Sequence, residues 1–309
     1  MQEQSENIES IKIPALDAIL GKKFPVLDDG FIRVIDYMGG DEAIVQAARV
    51  SYGKGTKQVR QDRGLIRYLL RHKHSTPFEM CEIKLHIRIP MDAWRQWIRH
   101  RTANVNEYST RYSLAIDSAQ TTKNDEWRLQ SSDNKQGSSG FFDSQIGQIL
   151  SEEEANLHKN LKEIYLKRIE MGMAREQARK DLPLSTYTEA YWKIDLHNLL
   201  HFLKLRMDSH AQFEIRQYAT LIGQEIVSKW VPITWEAFTD FSINSTEFSG
   251  VEMQILKKII EKDEISANEI AKKSGWLELD KNGELKHSLE RMEFEQKITT
   301  LGLIPNWKA

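Results

Sequence analysis

Between Cys81 and Pro90 the chain alternates without a break. Cys81, Ile83, Leu85, Ile87 and Ile89 are apolar, while Glu82, Lys84, His86 and Arg88 are polar. A period of two is the mark of a β-strand with one buried face. Such a strand needs partners to pair with and a layer over its apolar side. Cys81 falls on the apolar side and reads as a small buried hydrophobe. Pro90 ends the strand and suits the first turn of a helix, which the pattern predicts over 91–101. Gln96 and Arg99, three apart, then share a face.

Around this strand the chain reads as alternating strands and helices. Residues 1–27 form a lead-in ending near Pro25, and 31–38 a strand. A helix over 41–50, with Asp41 as a cap, precedes a glycine-containing loop at 51–57. The stripe of Leu65, Ile66, Leu69 and Leu70 predicts a helix over 60–72, broken at His74 to Pro77. Residues 117–148 change character, and the polar, turn-rich run 133–140 reads as a surface loop or lid. A long helix is expected over 151–171, where Ser151 and Glu154 match a capping box. A shorter helix follows over 175–181, then a β-prone run over 186–194. Helices are expected over 195–206 and 211–230, the second closed by Pro232. Arg206 would stand at the C-terminus of the first, with Asp208 or Ser209 capping the second. From about 242 three charged amphipathic helices follow. The organisation expected is a lead-in at 1–27, a catalytic domain at 28–245 and a helical extension at 246–309.

Composition narrows the function. With 309 residues, 40% of them hydrophobic, the chain can bury a large core. Lys plus Arg is 43 against 45 for Asp plus Glu, a net charge of -2, which argues against bulk nucleic-acid binding. Cys81 is the only cysteine, so neither a disulfide framework nor a cysteine zinc site is available. A cytoplasmic location is the default expectation. Residues 1–10 lack an apolar signal region, and no apolar run approaches membrane-spanning length. His197 and His201 share a helix face, but no zinc signature surrounds them. There is no Walker loop and no Gly-x-Gly-x-x-Gly.

The chemistry concentrates in Arg99-His100-Arg101-Thr102-Ala103-Asn104-Val105-Asn106-Glu107-Tyr108-Ser109-Thr110-Arg111. Guanidinium forks suit phosphate oxygens. Glu107 would repel phosphate, so the segment is more than an anion trap and suits a nucleotide, with carboxylate and hydroxyl groups for sugar or base. A nucleophilic role for Ser109 lacks a Gly-x-Ser-x-Gly setting. Three further clusters stand apart: 74–79, 176–184 and 195–216.

Together these segments resemble the flavin-dependent thymidylate synthases. The matching pieces are 47–51, 74–79, 95–97 with 99–113, 176–184 and 203–212, in the family's order over roughly 30–240. The resemblance implies an α/β (mixed α+β) fold, a central sheet with long helices, assembled as a homotetramer with sites shared between subunits. It implies FAD as cofactor, and synthesis of dTMP from dUMP with 5,10-methylenetetrahydrofolate as carbon donor and NADPH as reductant. By resemblance, Ser51, His74, Thr76, Arg99, His100, Arg101, Glu107, Asp195, Leu196, His197 and His201 fall at FAD positions. Gln96, Arg99, Glu107, Tyr108, Ser109, Thr110, Arg111, Arg179 and Arg206 fall at dUMP positions. Arg206 takes the catalytic role, a fixed charge that activates uracil without a cysteine nucleophile. Asn104 departs from a common serine, and Asp195 and His201 stand where some relatives have asparagine. Two other readings are an RNA uracil methyltransferase using flavin and folate, and a non-enzymatic nucleotide-binding module.

Overall fold

The structure, a computed structural model, describes residues 10–50, 59–109, 114, 118–131, 137–305 and 307, with backbone alone at 59–61. The chain divides into two compact units, Met1–Ile243 and Asn244–Ala309.

The first unit is mixed α and β. It opens with a short helix α1 (Pro14–Asp17), strands β1 (Lys23–Val26) and β2 (Gly30–Met38), and helices α2 (Asp41–Val50), α3 (Val59–Arg71) and α4 (Thr76–Glu79). Strand β3 (Glu82–Pro90), helix α5 (Met91–Trp97) and strand β4 (Asn104–Glu107) follow. Strands β5 (Arg128–Gln130) and β6 (Ser138–Phe141) form a separate antiparallel pair. Next come α6 (Ser144–Glu170), α7 (Arg175–Ala178), β7 (Tyr187–Asp195), α8 (Leu196–Arg206) and α9 (Phe213–Leu221). After a π-helical stretch, Ile222–Val227, the unit ends with α10 (Ser228–Trp230) and α11 (Pro232–Phe238), the latter running into a second π-helical stretch, Thr239–Ile243.

The sheet runs β1-β2-β3-β7-β4, and its described pairings are antiparallel. The alternation read from the sequence becomes register. Leu85 faces Trp192 and Ile87 faces Ala190 across β3 and β7. Cys81, Ile83, Leu85, Ile87 and Ile89 are buried with Ile32, Val34, Trp192 and Ile194. Helices supply Trp94, Trp97, Phe202, Leu203 and Tyr218 to the same core. Trp97 is fully buried, its ring 4.6 Å from Phe202 and 5.1 Å from Trp192. Burying a large apolar side chain stabilises by about 1.5–3 kcal/mol, so this tryptophan pins α5 to the sheet. The lead-in is part of the fold: β1 is an edge strand, and Leu16, Ile19 and Phe24 join the core.

The opposite face of β3 is polar. Arg33 Nη2 donates to His86 Nδ1 (2.6 Å), and His86 Nε2 lies 2.7 Å from Glu189 Oε2. Because a guanidinium only donates, His86 is neutral and carries its proton on Nε2. Burial, the largest influence, pushes its pKa down accordingly.

Several expectations change. Asp41 stands at the start of α2 but caps α11, accepting from Ile233 N (2.8 Å), Thr234 N (3.0 Å) and Thr234 Oγ1 (2.7 Å). Helix α5 ends at Trp97 and not at Arg101, so the arginine pair leaves the helix. Helix α6 begins at Ser144, capped by Asp143, and Ser151 and Glu154 are interior. Part of the expected 133–140 loop is strand β6; residues 132–136 lie outside the described residues. Pro232 closes one helix and opens another, as proline can at a first turn. Neither Asp208 nor Ser209 caps α9. That place falls to Gln212, and Asp208 instead accepts from His210 N at 2.8 Å.

The second unit holds α12 (Gly250–Ile260), α13 (Glu264–Lys273) and α14 (Leu289–Thr299). Ile255, Leu256, Ala267, Ala271, Trp276, Phe294 and Ile298 form its core. A capping box at Ser249 and Glu252 starts α12, and Lys297 Nζ donates to Glu252 Oε1 at 2.8 Å.

Candidate functional site

Arg206 is the last residue of α8, but its side chain does more than meet the helix dipole. Its Nε donates to His100 Nε2 at 3.0 Å, and its Nη2 donates to the Gln96 carbonyl at 3.4 Å. Arginine has no acceptor, so His100 must present a lone pair on Nε2 and is neutral. The electrostatics agree. Burial first, then the charges of Arg206 and His201, lower the His100 pKa to about 4. Burial lowers the Arg206 pKa as well; a guanidinium stays charged at neutral pH all the same. The His100 ring packs edge-on to Phe202 at 4.9 Å, with His201 at 6.3 Å. The sheet core thus holds the histidine, and the histidine aims the arginine.

Early termination of α5 makes this possible. Trp97 is anchored in the core, Ile98 forms the C-cap, and the chain turns with His100 N donating to Trp97 O at 2.9 Å. Arg99 and Arg101 are exposed on either side of half-buried His100. Strand β4 then carries the segment along β7, with Glu107 opposite Ala190. Buried Thr188 donates to Glu107 Oε1 at 2.9 Å. Tyr108 N donates to the Glu189 carbonyl at 2.7 Å, extending the pairing, and Ser109 is half-buried beyond it. Ser51, Thr110 and Arg111 lie outside the described residues.

Behind Gln96 lies a polar network. Its Nε2 donates to Gln212 Oε1. Gln212 Nε2 donates to Asp92 Oδ2 (3.0 Å) and to Glu214 Oε2 (2.7 Å), and Arg128 Nη2 donates to Glu214 Oε1 (2.6 Å). Burial, reinforced by Glu214, raises the Asp92 pKa. Gln212 lies inside a segment that carries the family resemblance, yet its link to Gln96 has no sequence signal. Arg128 lies outside the five segments that carry the resemblance in the sequence.

The other positions distribute around the unit. Asp195 caps α8, accepting from Asn198 N (2.9 Å) and Asn198 Nδ2 (2.6 Å). Leu196 is fully buried, and its N–H is committed to Cys81 O at 2.8 Å, so its side chain serves the core. His197 is half-buried and His201 exposed. His74 is exposed in the turn after α3, stacked on Tyr68 at 5.9 Å, and Thr76 opens α4. Arg179 is half-buried in the 3-10 turn Arg179–Asp181 that follows α7. Among the described residues, no group of three His, Cys, Asp or Glu is placed to hold a metal ion. Cys81 is buried, donates to Gly40 O at 3.4 Å, and its thiol is pushed up to about 12, chiefly by burial. It is no nucleophile at neutral pH.

A charged arginine held by a neutral histidine, flanked by exposed arginines on a mixed sheet-and-helix scaffold, is an arrangement suited to an anion such as a nucleotide. Comparison with known proteins is specific. The family model described as "Thymidylate synthase complementing protein" matches residues 33–233. A flavin-dependent thymidylate synthase of Wolbachia pipientis wMel is 52% identical over 257 residues, covering 83% of this chain and 90% of that protein. One of Ehrlichia ruminantium (strain Gardel) is 48% identical over 277 residues, covering 89% and 93%. Among solved structures, the UMP/dUMP methylase PolB of Streptomyces cacaoi bound with 5-Br dUMP superposes with a TM-score of 0.64. It is 31% identical, and the match covers 71% of this chain and 98% of that one. The chain belongs to the flavin-dependent thymidylate synthase family.

Proposed function

We infer that this protein makes dTMP from dUMP, with FAD as its flavin, 5,10-methylenetetrahydrofolate as carbon donor and NADPH as reductant. The observation that carries the reading is Arg206. It is a half-buried guanidinium held through Nε by a neutral imidazole, in a family whose members are named for this activity. When bound, FAD supplies the hydride chemistry, so no protein nucleophile is needed.

The chain's own residues bind and orient. Arg206 sets a fixed positive charge beside the uracil N3 and its neighbouring carbonyl, favouring the ionised ring and making carbon 5 nucleophilic. Holding Nε at His100 and one Nη2 hydrogen at the Gln96 carbonyl leaves Nη1 and the second Nη2 hydrogen for the ring, and a pre-aimed donor costs little reorganisation. Gln96, Glu107, Tyr108, Ser109 and Thr110 complete the nucleotide contacts, with Arg99, Arg111 and Arg179 for its phosphate. Ser51, His74, Thr76, Arg99, His100, Arg101, Glu107, Asp195, Leu196, His197 and His201 are assigned to FAD. A homotetramer with shared sites and a cytoplasmic setting complete the reading.

An anaerobic assay with FAD, NADPH, methylenetetrahydrofolate and dUMP tests it. Formation of dTMP that requires all four is expected. A flavin-loaded protein that leaves dUMP unchanged yet methylates uracil in RNA would overturn it.

A further inference from the structure

We propose that Arg128, on strand β5 of the hairpin outside the recognised motifs, is a positioning residue that holds Gln96 for dUMP through Glu214 and Gln212. The proposal rests on the dUMP site proposed above. It begins with the donor count at Gln212. Its amide has one acceptor and two hydrogens. Two carboxylate oxygens, Asp92 Oδ2 at 3.0 Å and Glu214 Oε2 at 2.7 Å, lie within reach of Nε2. Ionised carboxylates only accept, so both take hydrogens from Nε2 and the amide has a single orientation. Its oxygen must then face Gln96, whose Nε2 it receives. The orientation of Gln96 follows from that of Gln212. Gln96 is also the residue whose backbone carbonyl meets Arg206 Nη2, so the same residue contacts the activating arginine through its main chain.

Arg128 holds the Glu214 carboxylate in place. Glu214 is 5% exposed and shares Gln212 with Asp92, whose burial already disfavours its charge. A buried carboxylate pair needs a counter-charge. Arg128 Nη2 supplies it at 2.6 Å from Glu214 Oε1, with its guanidinium over the Phe213 ring at 5.1 Å. Without it, Glu214 loses the partner that holds its other oxygen and can turn away from Gln212. Gln212 is then free to flip, and Gln96 loses its fixed partner. No other part of the chain in this network comes from β5 or β6, so the link gives the hairpin a role at the site.

The test uses the flavin-loaded full-length enzyme and reads dUMP Kd by calorimetry alongside kcat and KM. Arg128→Ala is expected to weaken dUMP binding about tenfold, about 1.4 kcal/mol, with kcat at saturating dUMP within about threefold. Arg128→Lys keeps the charge and should recover most of the affinity. Glu214→Gln removes the carboxylate without changing its shape and should weaken binding in the same direction, which covers the case of Arg128→Ala failing to fold. In a Gln96→Ala background, Arg128→Ala should add nothing. Undiminished affinity in Arg128→Ala and Glu214→Gln, with Gln96→Ala weakened, would overturn the relay. So would fully additive losses in the double variant, which would make Arg128 merely structural. Unchanged affinity in Gln96→Ala itself would instead defeat the assignment of Gln96 to the dUMP site.

Discussion

Arg206 and His100 form the contact on which the proposed chemistry turns, and each makes a distinct prediction. Arg206→Ala should leave a folded, flavin-binding protein that forms no dTMP in a single-turnover assay. Near-normal turnover at saturating dUMP would remove the arginine from the mechanism. Arg206→Lys keeps a charge but lacks the planar fork and the Nε–H that His100 accepts. A loss of at least about a hundredfold in rate, roughly 2.7 kcal/mol, is expected. His100 titrates near 4 in the folded chain, against 6.5 for an ordinary imidazole. Between those values the unfolded chain binds more protons than the folded one. Stability contributed here is therefore full above about pH 6.5 and falls as pH drops toward 4. His100→Gln keeps an acceptor but cannot titrate, so its acid limb of denaturant stability should be flatter than that of the wild type. Parallel limbs would show that His100 is not protonating in that window. Cys81→Ala should keep full activity and lose about 1 kcal/mol, the cost of one small buried group; a stable but inactive variant would restore a cysteine mechanism.

At the scale of elements, the π-helical stretch Ile222–Val227 is where packing meets the site. A Cβ on Gly223 would lie 2.5 Å from the Trp235 ring and 3.1 Å from Met207 Sδ. Met207 directly follows Arg206, so Gly223→Ala should cost roughly 1–3 kcal/mol of stability and reduce kcat by displacing the end of α8. Unaltered kcat in the destabilised variant would separate this packing from catalysis. The same elements show what a sequence can reveal. Strand β3 was legible because a half-buried strand writes its register as alternation, from Ile83 to Ile89. Helix α6 was legible in existence but not in start. Ser151 and Glu154 fit a capping box, but the Ser151 hydroxyl receives Trp127 Nε1 (2.9 Å) and donates to Thr122 O (2.8 Å). Gly147, locally a poor helix former, is required because the Asn124 carbonyl would meet its Cβ at 1.8 Å. Tertiary partners made those choices, and no local pattern encodes them. At the site the division is similar. The segment around His100 stands out by residue type and Arg206 by the family resemblance, whereas Asp92, Glu214 and Arg128 gain meaning only from the atoms they face.

Taken as a whole, the chain has two cores that share no residue: one inside Met1–Ile243 around the sheet, one inside Asn244–Ala309 around Trp276 and Phe294. In the second, Ser249 and Glu252 cap α12, Lys297 Nζ donates to Glu252, and Arg291 Nη1 donates to Trp276 O at 2.9 Å. The family model ends at residue 233, before that unit begins, and each assigned site residue precedes it. A match of 71% of this chain covers 98% of the PolB chain, which was solved with 5-Br dUMP. A chain ending at Ile243 should therefore keep the sheet core, bind flavin, and form dTMP with kcat within about threefold of the full chain, a difference below roughly 0.7 kcal/mol. Thermal unfolding, flavin absorbance and the anaerobic assay, run on both lengths, check this. Sedimentation of the two forms reads whether the second unit changes how the chain assembles. A truncated chain that folds and holds flavin but makes no dTMP would contradict the prediction: the site would need the C-terminal helices.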